Sequence, residues 1–395
     1  MIGTGLDLLL AETGSLQGRR YGVLAHSAAV SANLVPIHLA LLEAGAETPQ
    51  LLIGPEHGFY GVEQDMVAAA DGRDPLTGLP VVSLYGDTPE SLRPEPGLLA
   101  ELDLLIIDLQ DVGARYYTYA ATAVWTAEVA LATGCEVWVL DRPNPLGGVE
   151  IEGNLPRPGF ESFVGAFALP VRHGLTLGEL VRLEARRRGW TVEPRVWKME
   201  GWRREMLWAE TGRPWMATSP NLPTAEATLV YPGSCLIEAT QLSEGRGTTR
   251  PFQLIGAPGI EPRALAAELA SSNLAGVRFV PTYFRPQYQK HAGETCGGVY
   301  IQVTEPGTYR PYRSGVELLA AVRRLAPAAA AWRTEAYEFV VDRPAIDLLA
   351  GDDALRLSLE ADQDAGEWMA GWSADEESFR AERREILIYP EASPG

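Results

Sequence analysis

The sequence predicts an α/β fold, in which a doubly wound, mostly parallel sheet is followed by a smaller α+β domain. The first observation is that short apolar runs alternate with helical segments over about the first 150 residues, as in successive βαβ units. The second is a change beyond residue 250, where shorter segments indicate antiparallel strands around one helix. The length of 395 residues allows two hydrophobic cores. We therefore expect domains at residues 1–250 and 251–395.

The elements of the first domain follow from apolar periodicity and from cap residues. Asn33 is expected to cap the second helix, and Thr176 with Glu179 forms a capping box for the last one. Strands are predicted at residues 20–26, 51–54, 81–85, 104–109, 135–140 and 192–199, and helices at 4–10, 33–44, 98–102, 116–132 and 176–188. Residues 61–80 lack a period and are predicted to form a functional loop.

The second domain is predicted to mix helices with short strands. Strands are expected at residues 277–281, 298–304 and 336–341, and helices at 262–274, 314–325 and within the charged tail, 348–388. Residues 231–258 form a polar-rich stretch before the change of pattern.

Composition limits the function classes. A formal net charge of −19 repels polyanions and argues against nucleic acid or an anionic membrane as partner. Three isolated cysteines without a C-x-x-C pair favour reduced, buried thiols over a disulfide framework or a zinc site. The N-terminal residues lack the basic region of a signal peptide, so we expect a cytoplasmic protein, or a secreted or periplasmic one if a leader was removed.

Polar residues follow the ends of four predicted strands. They are His26, the pair Glu56 and His57, the segment from Asp108 to Tyr119, and the segment from Asp141 to Asn144. If these strands are parallel, their polar ends meet along one edge of the sheet, where α/β folds bind ligands.

Glu56 is the leading candidate for an acid catalyst. Between Pro55 and Phe59 its carboxyl would be partly desolvated, which raises a pKa toward the range of a general acid. The alternative is that Glu56 caps the next helix and that His57 binds a backbone carbonyl. Both interpretations remain open from the pattern alone.

Two further segments carry dense polar groups. Asp108 and Arg115 could bind a ligand or brace the turn at Gly113. In LSEGRGTTRP, Glu244 is a candidate second carboxylate, with two arginines that could hold an anion, but a linker stabilised by a salt bridge is the alternative. The glycine-rich segments match neither G-x-G-x-x-G nor the P-loop pattern, and H-E-x-x-H and G-x-S-x-G do not occur, so we expect no nucleotide cofactor and no metal.

Long segments of the chain resemble the exo-β-N-acetylmuramidase family of NamZ-like proteins, long known as a domain of unknown function. The segments include GPEHGF, DLQDVGARYYTY, DRPNPLGG, LPVRHGLTLGEL, SPNLPT, YPGSCLIEATQLSEGRGTTRPFQLIGAP and KHAGETCGGVYI. The resemblance implies a Rossmann-like N-terminal domain, a smaller C-terminal domain, and an enzyme that removes N-acetylmuramic acid from the non-reducing end of peptidoglycan fragments.

The resemblance also implies site residues. The glutamate of GPEHG, the favoured catalytic acid, is Glu56, and the glutamate of the LSEGRG segment, near the same cleft, is Glu244. In our own hypothesis of the mechanism, His57 would orient or polarise Glu56. The lactyl carboxylate of the substrate calls for a cationic pocket, for which bidentate arginine is suited. The cations in the matched segments are Arg115, Arg142, Arg172, Arg246, Arg250 and Lys290. Further substrate contacts are expected from His26, Asp108, Gln110, Tyr116, Tyr119, Asp141, Asn144, His173, Asn221 and His291.

Several alternatives remain open at this point. The group that acts at the anomeric carbon could be Glu244, an aspartate such as Asp108, or the acetamido oxygen of the substrate. Two other functions compete with hydrolysis: transfer of a sugar from a sugar nucleotide, and binding of cell-wall carbohydrate without turnover. The sequence does not predict an oligomeric state.

Overall fold

The structure is a computed structural model that describes residues 1–391. It contains a seven-stranded sheet in the order β3-β4-β2-β1-β5-β6-β7. All neighbouring strands are parallel except β3 and β4. The strands are β1 (Tyr21–Ala25), β2 (Leu51–Gly54), β3 (Gly72–Arg73), β4 (Pro80–Ser83), β5 (Leu104–Asp108), β6 (Glu136–Leu140) and β7 (Arg195–Trp197). The predicted mostly parallel α/β sheet is confirmed.

Helices cover both faces of this sheet. They are α1 (Gly5–Ala11), α2 (Ile37–Glu43), α3 (Pro96–Ala100), α4 (Tyr119–Ala132) and α5 (Leu177–Arg187). Successive strand residues point to opposite faces, so Leu24 and Ile107 pack in the core beneath α4 and α5, whereas Val23 and Ile106 pack in the core beneath α1 and α2. The apolar runs of these strands are therefore continuous, as buried parallel strands require.

A smaller antiparallel sheet, in the order β8-β10-β9, follows in the C-terminal part of the chain. Its strands are β8 (Leu254–Ala257), β9 (Val277–Phe284) and β10 (Cys296–Val303). The accompanying helices are α6 (Ala225–Ser234), α7 (Pro262–Ser271), α8 (Pro311–Leu325), α9 (Ala345–Ala350), α10 (Ala354–Glu360), α11 (Ala365–Ala370) and α12 (Trp372–Arg383). The smaller second sheet of the predicted α+β region is thus present. The position of the domain boundary near residue 250 stays a prediction.

Several predicted elements differ from the structure. Asn33 does not cap α2, which begins at Ile37 after the N-cap Pro36, because a proline favours an extended conformation in the residue before it. The strand predicted at residues 336–341 is instead a tight turn between Tyr337 and Val340. The sequence interpretation missed α6, which carries Pro232 within the helix, and β8, which lies in the polar-rich stretch.

The three cysteines are buried free thiols. No helix within residues 1–391 has the length and hydropathy that crossing a membrane would require.

Candidate functional site

A cleft lies beyond the carboxyl end of β2, between the large sheet and the C-terminal part of the chain. It encloses about 460 Å³ of empty space, including its open mouth. Five of the residues predicted from the sequence line it: Glu56, His57, Tyr116, Asn221 and Arg246. The remaining walls include Asp65, Thr118, Glu238, Tyr337 and Glu338. The cleft is therefore rich in carboxyl groups.

Glu56 is placed in the cleft by the tight turn that follows β2. The backbone folds back directly after Gly54, where a Cβ atom would lie only 2.5 Å from the backbone nitrogen of Phe59. The Gly58 amide then closes the turn by donating to the Pro55 carbonyl at 2.9 Å. Glu56 is 5% exposed, and its Oε2 accepts a hydrogen bond of 2.7 Å from the Thr118 hydroxyl. One carboxylate oxygen is thus fixed by a neutral donor.

His57 stands beside Glu56 in a left-handed conformation, with φ of 71°. Its Nδ1 donates to the carbonyl oxygen of Glu63 at 2.9 Å. A positive φ is unusual for a residue with a side chain, and this contact ties the ring to the loop that follows. His57 therefore binds a backbone carbonyl, as one interpretation of the sequence expected, and it also lines the cleft. A catalytic role for Glu56 and His57 stays a prediction.

Arg246 gathers three carboxylates at one side of the cleft. Its guanidinium nitrogens lie 3.1 Å from Asp65, 2.7 Å from Glu238 and 3.1 Å from Glu244. The ammonium group of Lys290 lies 2.9 Å from the second oxygen of Glu244. Burial raises the pKa of Glu244, but Lys290 and Arg246 outweigh it and hold the pKa below its ordinary value. Glu244 is therefore an ionised partner of two cations.

Glu238 and Glu338 are carboxyls that the sequence interpretation did not select. Burial raises the pKa of Glu238 above its ordinary value, although the charge of Arg246 acts in the opposite direction. The Tyr337 hydroxyl donates to Oε2 of Glu238 at 2.6 Å. The Tyr85 hydroxyl donates to Oε2 of Glu338 at 3.0 Å. Glu238 lies within the matched segment LIEATQLSEGRG, which could have indicated it. No pattern in the sequence points to Glu338.

A second group of predicted residues lies at the carboxyl ends of β1 and β5. Arg142 binds both oxygens of Asp108 at 2.5 and 2.8 Å, and the backbone amide of Gln110 donates to Nε2 of His26 at 2.9 Å. Burial, followed by the nearby Arg142 charge, lowers the pKa of His26 to about 3. Asp108 and Arg142 pair with each other, whereas Nδ1 of His26 and Oε1 of Gln110 have no hydrogen-bond partner among the described residues. None of these four residues lines the cleft.

The other predicted residues in the N-terminal half are buried in hydrogen-bond networks. Asp141 accepts from the hydroxyls of Thr176 and Tyr389, and burial raises its pKa to about 7. Arg115 donates to four backbone carbonyls, those of Asn154, Leu169, Leu349 and Ala350. Asn144 donates to the Leu175 carbonyl, His173 accepts from the Leu175 amide, Tyr119 donates to the Thr218 carbonyl, and Arg172 donates to the Leu146 carbonyl.

The expected cationic pocket is not assembled as a single cluster. The structure describes all six cations of the matched segments, and among them Arg246 alone lines the cleft. Arg250 is exposed, and the ammonium group of Lys290 donates to Glu244 at 2.9 Å. His291 contacts the Gln241 carbonyl at 2.8 Å. Contact of these residues with a substrate stays a prediction.

Acidic clusters raise the question of a metal. Among the residues that the structure describes, no group of three or more His, Cys, Asp or Glu side chains is arranged to hold an ion. The carboxylates of Asp65, Glu238 and Glu244 contact the guanidinium of Arg246, as buried charges require an ion-pair partner.

Both parts of the chain match one known protein family. Residues 21–226 match the family described as exo-beta-N-acetylmuramidase NamZ, N-terminal, and residues 229–389 match its C-terminal counterpart. The peptidoglycan beta-N-acetylmuramidase NamZ of Bacillus subtilis (strain 168) is 38% identical over 387 residues, which cover 98% of this chain and 91% of that protein.

Two crystal structures of DUF1343 family proteins from Bacteroides fragilis share the fold. One is 31% identical with a TM-score of 0.88, and the match covers 98% of this chain and 99% of that one. The other is 26% identical with a TM-score of 0.76 and covers 99% and 100%. On these matches, which extend over both parts of the structure, the chain belongs to the exo-beta-N-acetylmuramidase NamZ family.

Proposed function

We propose that the protein is an exo-acting glycoside hydrolase that releases N-acetylmuramic acid from the non-reducing end of peptidoglycan fragments, with Glu56 as the general acid. The observation that carries the proposal is the buried Glu56 carboxyl, which lines the cleft while the Thr118 hydroxyl fixes its Oε2. We assign the other oxygen, Oε1, to the glycosidic oxygen of the substrate. Membership of the NamZ family supports the same reaction.

The two carboxylates first considered for the anomeric carbon are both ion-paired. Glu244 is bound by Lys290 and Arg246, and Asp108 by Arg142. A carboxylate whose charge is compensated by neighbouring cations is a weaker nucleophile than a free one. This favours the third option, in which the acetamido oxygen of the substrate attacks its own anomeric carbon.

Arg246 is our proposal for the group that attracts the lactyl carboxylate. It is the cation that the cleft wall contributes, and a planar guanidinium can bind carboxylates in the bidentate geometry. Each of its three guanidinium nitrogens already lies within 3.1 Å of a carboxylate, those of Asp65, Glu238 and Glu244, so bidentate binding of the lactyl carboxylate requires that Arg246 release two of these contacts. Tyr116 and Asn221 also line the cleft and are proposed to contact the sugar.

The test is mass spectrometry of the products formed from a short, de-peptidylated glycan of alternating sugars. The proposal predicts release of free N-acetylmuramic acid, one residue at a time, from the non-reducing end. A glycan that binds and is recovered intact would favour the carbohydrate-binding alternative. Calorimetric binding of a UDP-sugar would instead favour the transferase.

A further inference from the structure

The loop at residues 61–71, which precedes β3, carries a carboxylate into the cleft. No helix or strand lies within residues 61–71. Oδ1 of Asp65 accepts a hydrogen bond of 3.0 Å from the side-chain amide of Gln289, and the same oxygen lies 3.1 Å from Nη1 of Arg246. The loop therefore places Asp65 on the arginine that we assign to the lactyl carboxylate of the substrate.

The other two carboxylates that contact Arg246 each have a second strong partner. The ammonium group of Lys290 lies 2.9 Å from Glu244, and the Tyr337 hydroxyl donates to Glu238 at 2.6 Å. The side chains of Glu238 and Glu244 are only 9% and 4% exposed. These two carboxylates are therefore held firmly within the protein.

Asp65 is held less firmly than these two. Its side chain is 17% exposed, and its other partner is the neutral amide of Gln289, an exposed residue. The next residue, Met66, has a φ of 59°, and a left-handed residue with a side chain keeps this strained conformation only where its surroundings hold it. Asp65 is therefore the carboxylate that leaves Arg246 at the lowest cost.

The charges around Arg246 favour an exchange over an addition. Three carboxyl groups, counting Asp65, surround the guanidinium, and Lys290 is the second cation of the cluster. The lactyl carboxylate would bring a fourth negative group to this buried cluster, where a charge without compensation is costly. Replacing one carboxylate by another leaves the charge of the cluster unchanged.

We propose that Asp65 holds the place on Arg246 that the lactyl carboxylate takes, and that the two carboxylates exchange as N-acetylmuramic acid binds and is released. Asp65 is then a positioning residue. Its loop moves off Arg246 when the substrate binds, and after hydrolysis its return displaces the carboxylate of the product and promotes release. The proposal rests on the proposed function, because that function supplies the sugar.

The first test is calorimetric titration with free N-acetylmuramic acid and with N-acetylglucosamine, which lacks the lactyl group. A competitor that holds the place for about nine-tenths of the time lowers the apparent affinity about tenfold. Asp65→Asn should therefore bind N-acetylmuramic acid about tenfold more tightly, with unchanged affinity for N-acetylglucosamine. Gln289→Ala loosens Asp65 without a change of charge and should act in the same direction. Glu63→Gln removes a charge from the same loop and, as the matched control, should keep the wild-type affinities.

The second test is hydrogen exchange of the loop amides, measured by mass spectrometry. In the wild type, N-acetylmuramic acid should speed the exchange of residues 62–68, because Asp65 loses its partners, and N-acetylglucosamine should not. In Asp65→Asn, these residues should exchange rapidly before any sugar is added. Slower exchange on binding of N-acetylmuramic acid to the wild type, or equal affinities of the wild type and Asp65→Asn for this sugar, would overturn the proposal.

Neither measurement needs turnover, so the exchange and the proposed function fail separately. Both responses in a protein that releases no N-acetylmuramic acid from a glycan would support the exchange and reject the proposed function. Release of the sugar by a protein that shows neither response would reject the exchange and leave the function standing. In an active enzyme, free N-acetylmuramic acid should inhibit Asp65→Asn about tenfold more strongly than the wild type.

Discussion

Replacing Glu56 by Gln tests the central proposal with little disturbance of the fold. In the wild type the Thr118 hydroxyl donates to Oε2 of Glu56 at 2.7 Å, and the glutamine keeps an oxygen that can accept this hydrogen bond. Changing one hydrogen-bond acceptor for another of the same shape costs about 1 kcal/mol. We therefore expect the free energy of unfolding to change by no more than about 1 kcal/mol.

The effect on catalysis should be much larger. A positioned general acid typically contributes about 10²–10⁴-fold, which corresponds to roughly 2.7–5.5 kcal/mol of the activation barrier. Glu56 is 5% exposed, so bulk water is poorly placed to replace it as proton donor. We expect kcat/KM for a de-peptidylated glycan to fall toward the upper end of this range.

The assay compares two leaving groups. A sugar alcohol needs a proton to depart, whereas the nitrophenolate of a chromogenic muramide departs largely without one, so the loss in Glu56→Gln should be smaller for the chromogenic substrate. Glu63→Gln makes the same chemical change at a half-buried side chain of the same loop and should retain activity. Near-normal turnover of the natural glycan by Glu56→Gln, or equal losses for both substrates, would refute the assignment.

Three further predictions concern stability. Arg246→Met leaves buried carboxylates unpaired and should lower the free energy of unfolding, measured in urea, by about 3–5 kcal/mol. Arg250→Met changes an exposed arginine and should alter the free energy of unfolding by less than about 0.5 kcal/mol. Similar values for the two variants would contradict the role of the ion pairs. Gly54→Ala forces a Cβ against the loop backbone and should cost about 1–3 kcal/mol and reduce activity, whereas Gly14→Ala, which meets nothing within 4 Å, should be neutral by both measurements. Burial holds the pKa of His26 at about 3, below the unfolded value of 6.5. The stability that the neutral, buried ring contributes is therefore fully present above pH 6.5. As the pH falls from 6.5 toward 3, the free energy of unfolding should decrease by about 1.4 kcal/mol per pH unit. The slope of unfolding free energy against pH should be shallower by this amount in His26→Gln, and an unchanged slope would argue that the buried ring does not remain neutral.

The sequence by itself determined the parallel sheet and the position of the leading acid. Buried parallel strands are short continuous apolar runs, and residues that follow such runs lie at the carboxyl edge of the sheet. Both signals are local, so Glu56 at the end of β2 could be placed before any contact was known. Arg246 could be selected in the same way, from the density of polar groups between glycines in its segment.

Only the tertiary structure decided which polar groups share a site. Arg115 and Arg142 resemble ligand-binding residues in the sequence, but the fold directs one to backbone carbonyls and the other to Asp108. Glu338 was missed because its place depends on a left-handed turn that an alternating pattern disguises as a strand, and on contact with Tyr85 from a distant part of the chain. Whether a charged side chain serves a substrate or the protein depends on which partners packing brings within hydrogen-bond distance, and spacing along the chain does not record those partners.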